Sequence, residues 1–387
     1  MVEVFKPKSV RELLTEMKNV SDLMIDLAYA SVLLKNRELA ERVHELEAKM
    51  DELMYQIRTI AAVVTRNVHE ARKITGILQV ASAAESISNA TGDIADLVRS
   101  RARIHPVVQD AFRVSDEKIA SIKIRNISTI RDKKLCDLKL ASSIGVSVLA
   151  IKRRGEWITP VTRESFVLSG DTLIVKGPPD GITMLCGMAG SSKESWTPGD
   201  GLPSIRKCLA EMRDLSSLMV DMGYSSILFG SREIAEEVSE INEKFEKLSS
   251  RLWTSVLKAA RHEKDVIALS NLLRVVRAIE QISNAGNSIV DVVLRGVELH
   301  PVFVQAFAEA DEQIGRETVS ERSKFVGRSL KELNLWTTMG AYVLMIKRRK
   351  RYIFDPPRRT RIRAGDLLIV RGSGGGVGMV KKMARGS

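Results

Sequence analysis

Two stretches, "SVRELLTEMKNVSDLMIDLAYAS" at residues 9–31 and "SIRKCLAEMRDLSSLMVDMGYSS" at residues 204–226, decide how this chain is to be read. Laid so that Ser9 meets Ser204 they superpose without a gap, and 17 of the 35 positions from 9 to 43 carry the same residue as their counterparts. Identity of that density at one fixed displacement marks an internal duplication. The register persists through "IHPVVQDAF" over "LHPVFVQAF", and through "SGDTLIVKG" (169–177) over "AGDLLIVRG" (364–372). Each half is thus a two-part unit. The segment between them, "GSSKESWTPGDGLPS", has the Gly, Ser and Pro content of an exposed linker.

Within a half, the first 115 or so residues have helical grammar. Ser9 with Glu12 three residues on forms a capping box, and apolar residues then recur at Leu13, Met17, Val20, Met24 and Leu27. A second helix is expected from Asn36 through Val68 and a third from about Glu70 to Arg101, closed by His105 and Pro106. Long helices with short connections predict an antiparallel three-helix bundle with a short fourth helix after the proline. Beyond Asp116 the pattern changes to short β-rich runs: "KIASIKI", "GVSVLAIKRR", "EWITPV" and "DTLIVKG", with "KKLCDLKLA" as a brief helix between the first two. The second half repeats them as "GAYVLMIKRRKRYIFDPP" and "GDLLIVRG". "GSGGGVG" near the end reads as a flexible turn, because it opens no βαβ unit.

At 387 residues and 44% hydrophobic content the chain is a folded, multidomain protein. No uncharged apolar run has the ~18–20 residues of a membrane helix, and "MVEVFKPKSVRELL" has no signal-peptide core, so a cytoplasmic location is expected. Cys136, Cys186 and Cys208 are mutually isolated and read as structural thiols. The net charge of +12 permits an anionic partner: nucleotide, phosphate, nucleic acid or an anionic membrane surface. No Ser-His-Asp, Cys-His or paired-carboxylate arrangement stands out, so an enzyme is not expected. His105 and His300 each precede a proline and are read as capping and packing residues.

The third helix raises a separate question. Glu85, Asn89 and Asp96 fall within about 40° of one another on a helical wheel, and Glu280, Asn284 and Asp291 repeat the set. Such an oxygen-rich stripe is either a ligand site or a face that makes interhelical hydrogen bonds or meets water.

In the β-rich segment, the order of strand, L-x-x-L helix, G-x-x-V-x-x-I-K-R, hairpin, Pro and G-D-x-L-I-V-x-G resembles the TrkA-C domain of potassium-conductance regulators. The resemblance rests on Leu135, Leu138, Gly145, Ile151, Arg153, Gly170, Asp171 and Gly177. The second copy has Leu330, Leu333, Gly340, Ile346, Arg348, Gly365, Asp366 and Gly372. The helical segment resembles a PhoU-like bundle. The fold class expected is therefore α+β: two antiparallel three-helix PhoU-like bundles, each followed by a small α+β TrkA-C-like domain. The expected boundaries are bundles at 1–115 and 204–310, small domains at 116–190 and 311–387, and a linker at 191–203.

The resemblance implies that the small domains pair, here within one chain, and take a small anionic ligand such as cyclic di-AMP. Family contacts for it, an Arg and an Asn-Pro, fall on Arg153 with Thr159 and Pro160, and on Arg348 with Asp355 and Pro356. The Asn is replaced in both copies, and the alternative reading of "IKRR" and "IKRRKR" is a solvated hairpin edge. For the stripe, the resemblance implies a metal held by carboxylates, with Asp26, Glu85 and Asn89 in one bundle and Asp221, Glu280 and Asn284 in the other. A neutral amide replaces an anion in each set, so a face that makes interhelical hydrogen bonds or meets water is the preferred reading and no metal cofactor is expected. The function implied is a regulator of cation transport, with potassium favoured. Its partners would be a membrane channel or transporter, the small anion and, in a homo-oligomer, further copies of itself, and a transporter partner would hold it at the membrane. The alternatives are phosphate-uptake regulation and a basic nucleic-acid-binding protein. With aromatics at only 5%, nucleic acid is not an expected partner.

Overall fold

Ser9 caps the first helix as its spacing predicts. Its hydroxyl accepts from the Glu12 amide, and the Glu12 carboxylate accepts from the Ser9 amide at 2.8 Å. Helix α1 then runs Val10–Leu34 and buries Leu13, Met17, Val20, Met24 and Leu27 on one face. The computed structural model describes residues 8–115, 117–192, 202–262, 265–349 and 351–386. Most of the linker expected at 191–203 lies outside the described residues.

The chain divides into two units, each assembled from both halves: Met1–Ser115 with Gly199–Ala310, and Asp116–Pro198 with Asp311–Ser387. The first unit is helical. Repeat 1 contributes α1, α2 (Arg37–Val64), α3 (Val68–Arg99) and α4 (Pro106–Val114), and repeat 2 contributes α8 (Pro203–Phe229), α9 (Arg232–Ala259), α10 (Val266–Leu294) and α11 (Val302–Ala308). The α2 helix stops at Val64, short of the Val68 expected, because Asn67 caps α3 by accepting from the Glu70 amide at 2.9 Å. His105 and His300 act as expected, each Nδ1 accepting the backbone N–H two residues on, at 3.2 Å.

The short helices cross over between repeats. The α4 helix packs chiefly on α8, and α11 on α1, where the Thr15 hydroxyl donates to the Ala306 carbonyl at 3.0 Å. A reciprocal pair of buried aromatics sits at this crossover: Tyr29 meets Phe112 edge-on at 4.8 Å, and Tyr224 meets Phe307 at 5.0 Å. Each tyrosine also receives a cation from the other repeat. Lys18 lies 5.2 Å over Tyr224, and Arg213 lies 4.9 Å over Tyr29. The α3 and α10 helices pack against each other, with the Gln79 amide donating to the Ser288 carbonyl at 2.8 Å.

The second unit holds two small modules of one topology. In the first, β1 (Lys118–Lys123), β6 (Thr172–Gly177), β3 (Ser147–Arg153) and β4 (Glu156–Ile158) form an antiparallel sheet in that order. The short strands β2 (Lys133–Lys134) and β5 (Phe166–Val167) pair separately, and α5 (Leu135–Leu138), α6 (Leu140–Ile144) and α7 (Pro179–Ala189) complete the module. In the second, β7 (Glu312–Thr318), β10 (Leu367–Ser373), β8 (Ala341–Arg348) and β9 (Arg351–Phe354) repeat the order, with α12 (Leu330–Leu333), α13 (Leu335–Met339) and α14 (Gly374–Arg385). The expected brief helix after β2 is broken in two at Lys139, which is left-handed. The turn expected at "GSGGGVG" is instead the start of α14, because the Ser373 hydroxyl accepts from the Gly376 amide and caps a helix there. Each module has its own apolar core, one around Ile122, Ile151, Leu173 and Leu185, the other around Phe325, Ile346, Leu368 and Val380.

Candidate functional site

The two modules pair within their unit, as expected, through α6 and α13. Gly145 and Gly340 end these helices with φ of 69° and 62°, and each meets backbone of the other module. A Cβ at Gly340 would lie 1.6 Å from the Ala141 carbonyl oxygen, and one at Gly145 would lie 2.1 Å from that of Trp336. Only glycine serves where the backbone is both left-handed and so closely approached. Ion pairs flank the contact: Lys176 with Glu312 at 2.9 Å, and Arg371 with Glu117 at 3.2 Å and Glu312 at 3.6 Å.

Arg153 and Arg348 stand at the ends of β3 and β8, as their place after apolar strands predicts. Their planar forks are engaged bidentately, but by carboxylates of the same module. Arg153 donates from Nε to Asp171 Oδ1 at 2.9 Å and from Nη2 to Oδ2 at 2.8 Å, and also to the Phe166 carbonyl at 2.7 Å. Arg348 does the same to Asp366 at 2.8 and 2.7 Å, and to the Arg361 carbonyl at 2.6 Å. The hydrogen bonds to Asp171 hold the Arg153 guanidinium above its already high ordinary pKa. The two arginines thus tie their strands to buried Asp171 and Asp366. Thr159 is half-buried and precedes the exposed Pro160. Asp355 is exposed, accepts from the Tyr342 hydroxyl and precedes the buried Pro356. On the hairpins, Lys152 lies over Trp157 at 5.4 Å and Lys347 over Tyr352 at 4.9 Å.

The two sets of residues read as metal ligands are each spread over the first and third helices of their repeat. Among the described residues, no group of three or more His, Cys, Asp and Glu side chains is placed to hold an ion. Glu85 accepts from Arg58 at 3.0 Å across α2 and α3. Glu280 accepts from the Trp253 indole at 2.9 Å and from the Ser249 hydroxyl, across α9 and α10. Asn89 and Asn284 are exposed on α3 and α10, whereas Asp26 and Asp221 are buried on α1 and α8. The preferred reading of the glutamates, as interhelical hydrogen-bonding groups, is what the distances show.

Two family models match the chain: the PhoU domain over residues 14–98 and again over 209–293, and the TrkA-C domain over 314–385. The chain carries two PhoU domains in tandem and a C-terminal TrkA-C domain. The first small module shares the strand order of the TrkA-C domain, so the structure extends that fold to 118–189. Among solved structures the chain is similar to PhoU from Pseudomonas aeruginosa, at 10% identity over 74% of this chain and 96% of that one, with a TM-score of 0.38. It is also similar to the GsuK RCK domain, at 14% identity over 70% and 63% with a TM-score of 0.18, and to the GsuK channel bound to NAD, at 13% over 77% and 65% with 0.19. The chain thus spans under two thirds of each GsuK chain. No curated protein matches it. No described helix is long and apolar enough to cross a membrane. The two domain types place the chain among regulatory proteins related to phosphate or potassium transport.

Proposed function

We propose that this chain is a non-catalytic regulator of cation transport, potassium being the favoured ion. In this reading the paired TrkA-C modules respond to a small anion of the cyclic dinucleotide class, and the helical unit docks a membrane channel or transporter. The observation that carries the reading is the close backbone contact between modules at Gly145 and Gly340, which couples them as one pair. A ligand that touches both modules then acts by population shift, through its differential affinity for two arrangements of the pair. With Arg153 and Arg348 committed to Asp171 and Asp366, the anion falls to other cations on the hairpins, such as Arg154 and Arg349. Because two PhoU domains cover more of the chain than the TrkA-C match does, phosphate-uptake regulation is the second reading. Rubidium and phosphate uptake in cells with and without the protein separate the two. A change in rubidium flux alone is expected; a change in phosphate uptake alone would promote the second reading. Calorimetric titration with cyclic di-AMP then tests the ligand, and no heat of binding would remove it.

A further inference from the structure

At one end of the helical unit a cavity of about 740 Å³ opens between the α1–α2 turn, the α3–α4 connection and the first turn of α10. Val32, Val98, Ile104 and Ala268 give it apolar walls. Lys35, Arg37, Arg101, Arg103 and His105 also line it, against the single lining carboxylate of Asp265. The connection is held in place, with the Arg103 carbonyl accepting from the Asn271 amide at 2.9 Å and the Gln109 amide donating to the Val32 carbonyl at 2.9 Å. Arg37 pairs with Glu41 at 3.1 Å, and Arg103 reaches Asp265 only at 3.9 Å. Lys35 and Arg101 have no anionic partner among the described residues.

The backbone under those two cations is unusual. Lys35 has φ of 49° and Arg101 φ of 55°, in the left-handed region that a residue with a Cβ enters at a cost. At the matching register the second repeat has Gly230 and Gly296, with φ of 56° and 65°. Both repeats therefore need the same two left-handed turns, and glycine supplies them without strain. Repeat 1 instead holds a lysine and an arginine there, both lining the cavity. Arg103 is matched by Glu298, which pairs with Lys73 at 2.8 Å. Of the four permanent cations that line the cavity, only Arg37 has a cationic counterpart at the same register, Arg232. The charge is thus not a requirement of the fold.

We propose that this cavity is a binding site for a phosphorylated small molecule of nucleotide size. The lysine and arginine side chains supply charge-assisted donors to phosphate oxygens, and the guanidinium forks suit bidentate contact. The apolar walls take a ring or base. The volume falls in the ~300–1,000 Å³ range of small-molecule pockets. The site lies wholly within the helical unit and does not rest on ligand binding by the TrkA-C pair.

The test is calorimetric titration of the full chain with magnesium-free ATP, comparing wild type with the Lys35→Gly/Arg101→Gly double variant and with Arg103→Glu. Both variants copy what the second repeat carries at those positions, and the double variant relieves left-handed strain. Wild type is expected to bind one ATP. Each variant is expected to lose affinity by about tenfold or more, the scale set by losing one charged contact. The double variant should do so with a Tm equal to or above that of wild type, an outcome that general destabilisation would not give. Inorganic phosphate, which leaves the apolar walls uncovered, should bind at least about tenfold more weakly than ATP. Absence of ATP binding by wild type, unchanged affinity in both variants, or phosphate binding as tight as ATP would overturn the proposal.

Discussion

The small modules and the third helices answer duplication in opposite ways. Arg153 with Asp171 and Arg348 with Asp366 are the same arrangement twice, down to the three hydrogen bonds that each arginine donates. The stripe glutamates have changed partners: Glu85 takes an arginine, whereas Glu280 takes an indole and a serine hydroxyl. Burial accounts for the difference. Asp171 and Asp366 are each 1% exposed, so an unpaired carboxylate there would be desolvated without compensation. Glu85 is only half-buried, and water absorbs the consequences of a changed neighbour.

The sharpest way to break this comparison is to remove one arginine from each setting. Arg153→Ala leaves the buried Asp171 charge without its partner and should cost the first module about 3–5 kcal/mol. Arg58→Ala, which strips Glu85 of its ion pair, should cost about 1 kcal/mol or less. Hydrogen exchange of the β3 and β6 amides reads the first loss, and exchange in α2 and α3 reads the second. Equal losses would mean that burial does not govern which pair is held.

The two cations at the repeat crossover sharpen the same contrast inside the core. Arg213 donates to the Phe112 carbonyl at 3.2 Å and to the Ser115 hydroxyl while covering Tyr29. Its counterpart Lys18 pairs with Asp22 at 2.5 Å on its own helix and covers Tyr224. Arg213→Ala should therefore cost roughly 3 kcal/mol, because it removes two charge-assisted hydrogen bonds at the buried end of α4 together with the cation–ring contact to Tyr29. Lys18→Ala removes a helical ion pair and a cation–ring contact and should cost about 2 kcal/mol. Urea unfolding followed by circular dichroism measures both, and a larger loss for Lys18→Ala would contradict the assignment.

Much of this was legible in the sequence, and what was not has a common physical cause. Leu13, Met17, Val20, Met24 and Leu27 announced α1 and are all buried. The crossover of α4 onto α8 was not legible, because a short amphipathic helix presents the same apolar face to its own bundle or to its twin. Arg153 and Asp171 were both singled out, yet not as partners. The missed signal was a pair of opposite charges at the same separation in both copies, the arginine ending one strand and the aspartate immediately preceding the strand it pairs with. The cavity's residues are scattered over α1, α3, their connections and α10, and only the exchange of Lys35 for Gly230 and Arg101 for Gly296 hints at it.

The buried tyrosines give a pH dependence that tests the crossover. Burial pushes the Tyr29 hydroxyl up to about 12 and raises that of Tyr224 as well. Unfolding exposes phenols that release their protons near pH ~10. Above that pH the unfolded state binds fewer protons than the folded one, so stability falls as pH rises. The contribution of Tyr29 is fully present below pH ~10 and should fall by about 2–3 kcal/mol on reaching its folded value. Tyr29→Phe should flatten this alkaline loss, whereas Tyr55→Phe, on an exposed residue, should leave it unchanged. Stability against urea from about pH 9 to pH 12 makes the measurement, and a Tyr29→Phe profile identical to wild type would refute the assignment.

The smallest expected effect separates the starts of the two long first helices. Ser9 and Ser204 occupy one register, but Glu12 is matched by Lys207, so the reciprocal capping box can form only in the first repeat. The α8 helix instead begins at Pro203, whose missing N–H and fixed φ suit a first helical turn, with no side-chain cap bond at Leu202. Ser204 is accordingly an ordinary helical residue, and replacing it with alanine should be neutral or slightly favourable. Ser9→Ala removes the acceptor for the Glu12 amide and should cost about 1 kcal/mol, or ~2–4 °C in Tm for a unit of this size. The Glu12 carboxyl is held below its ordinary pKa first by the Ser9 backbone N–H. That contribution is present above the ordinary carboxylate value and is lost as pH falls through the lowered folded value. Ser9→Ala keeps that backbone N–H and loses only the hydroxyl's bonds, of which the one to the carboxylate titrates and the one from the Glu12 amide does not, so the gap in melting temperature should narrow in acid without closing. Equal shifts for Ser9→Ala and Ser204→Ala, or a gap that widens in acid, would show that the box does not set where α1 begins.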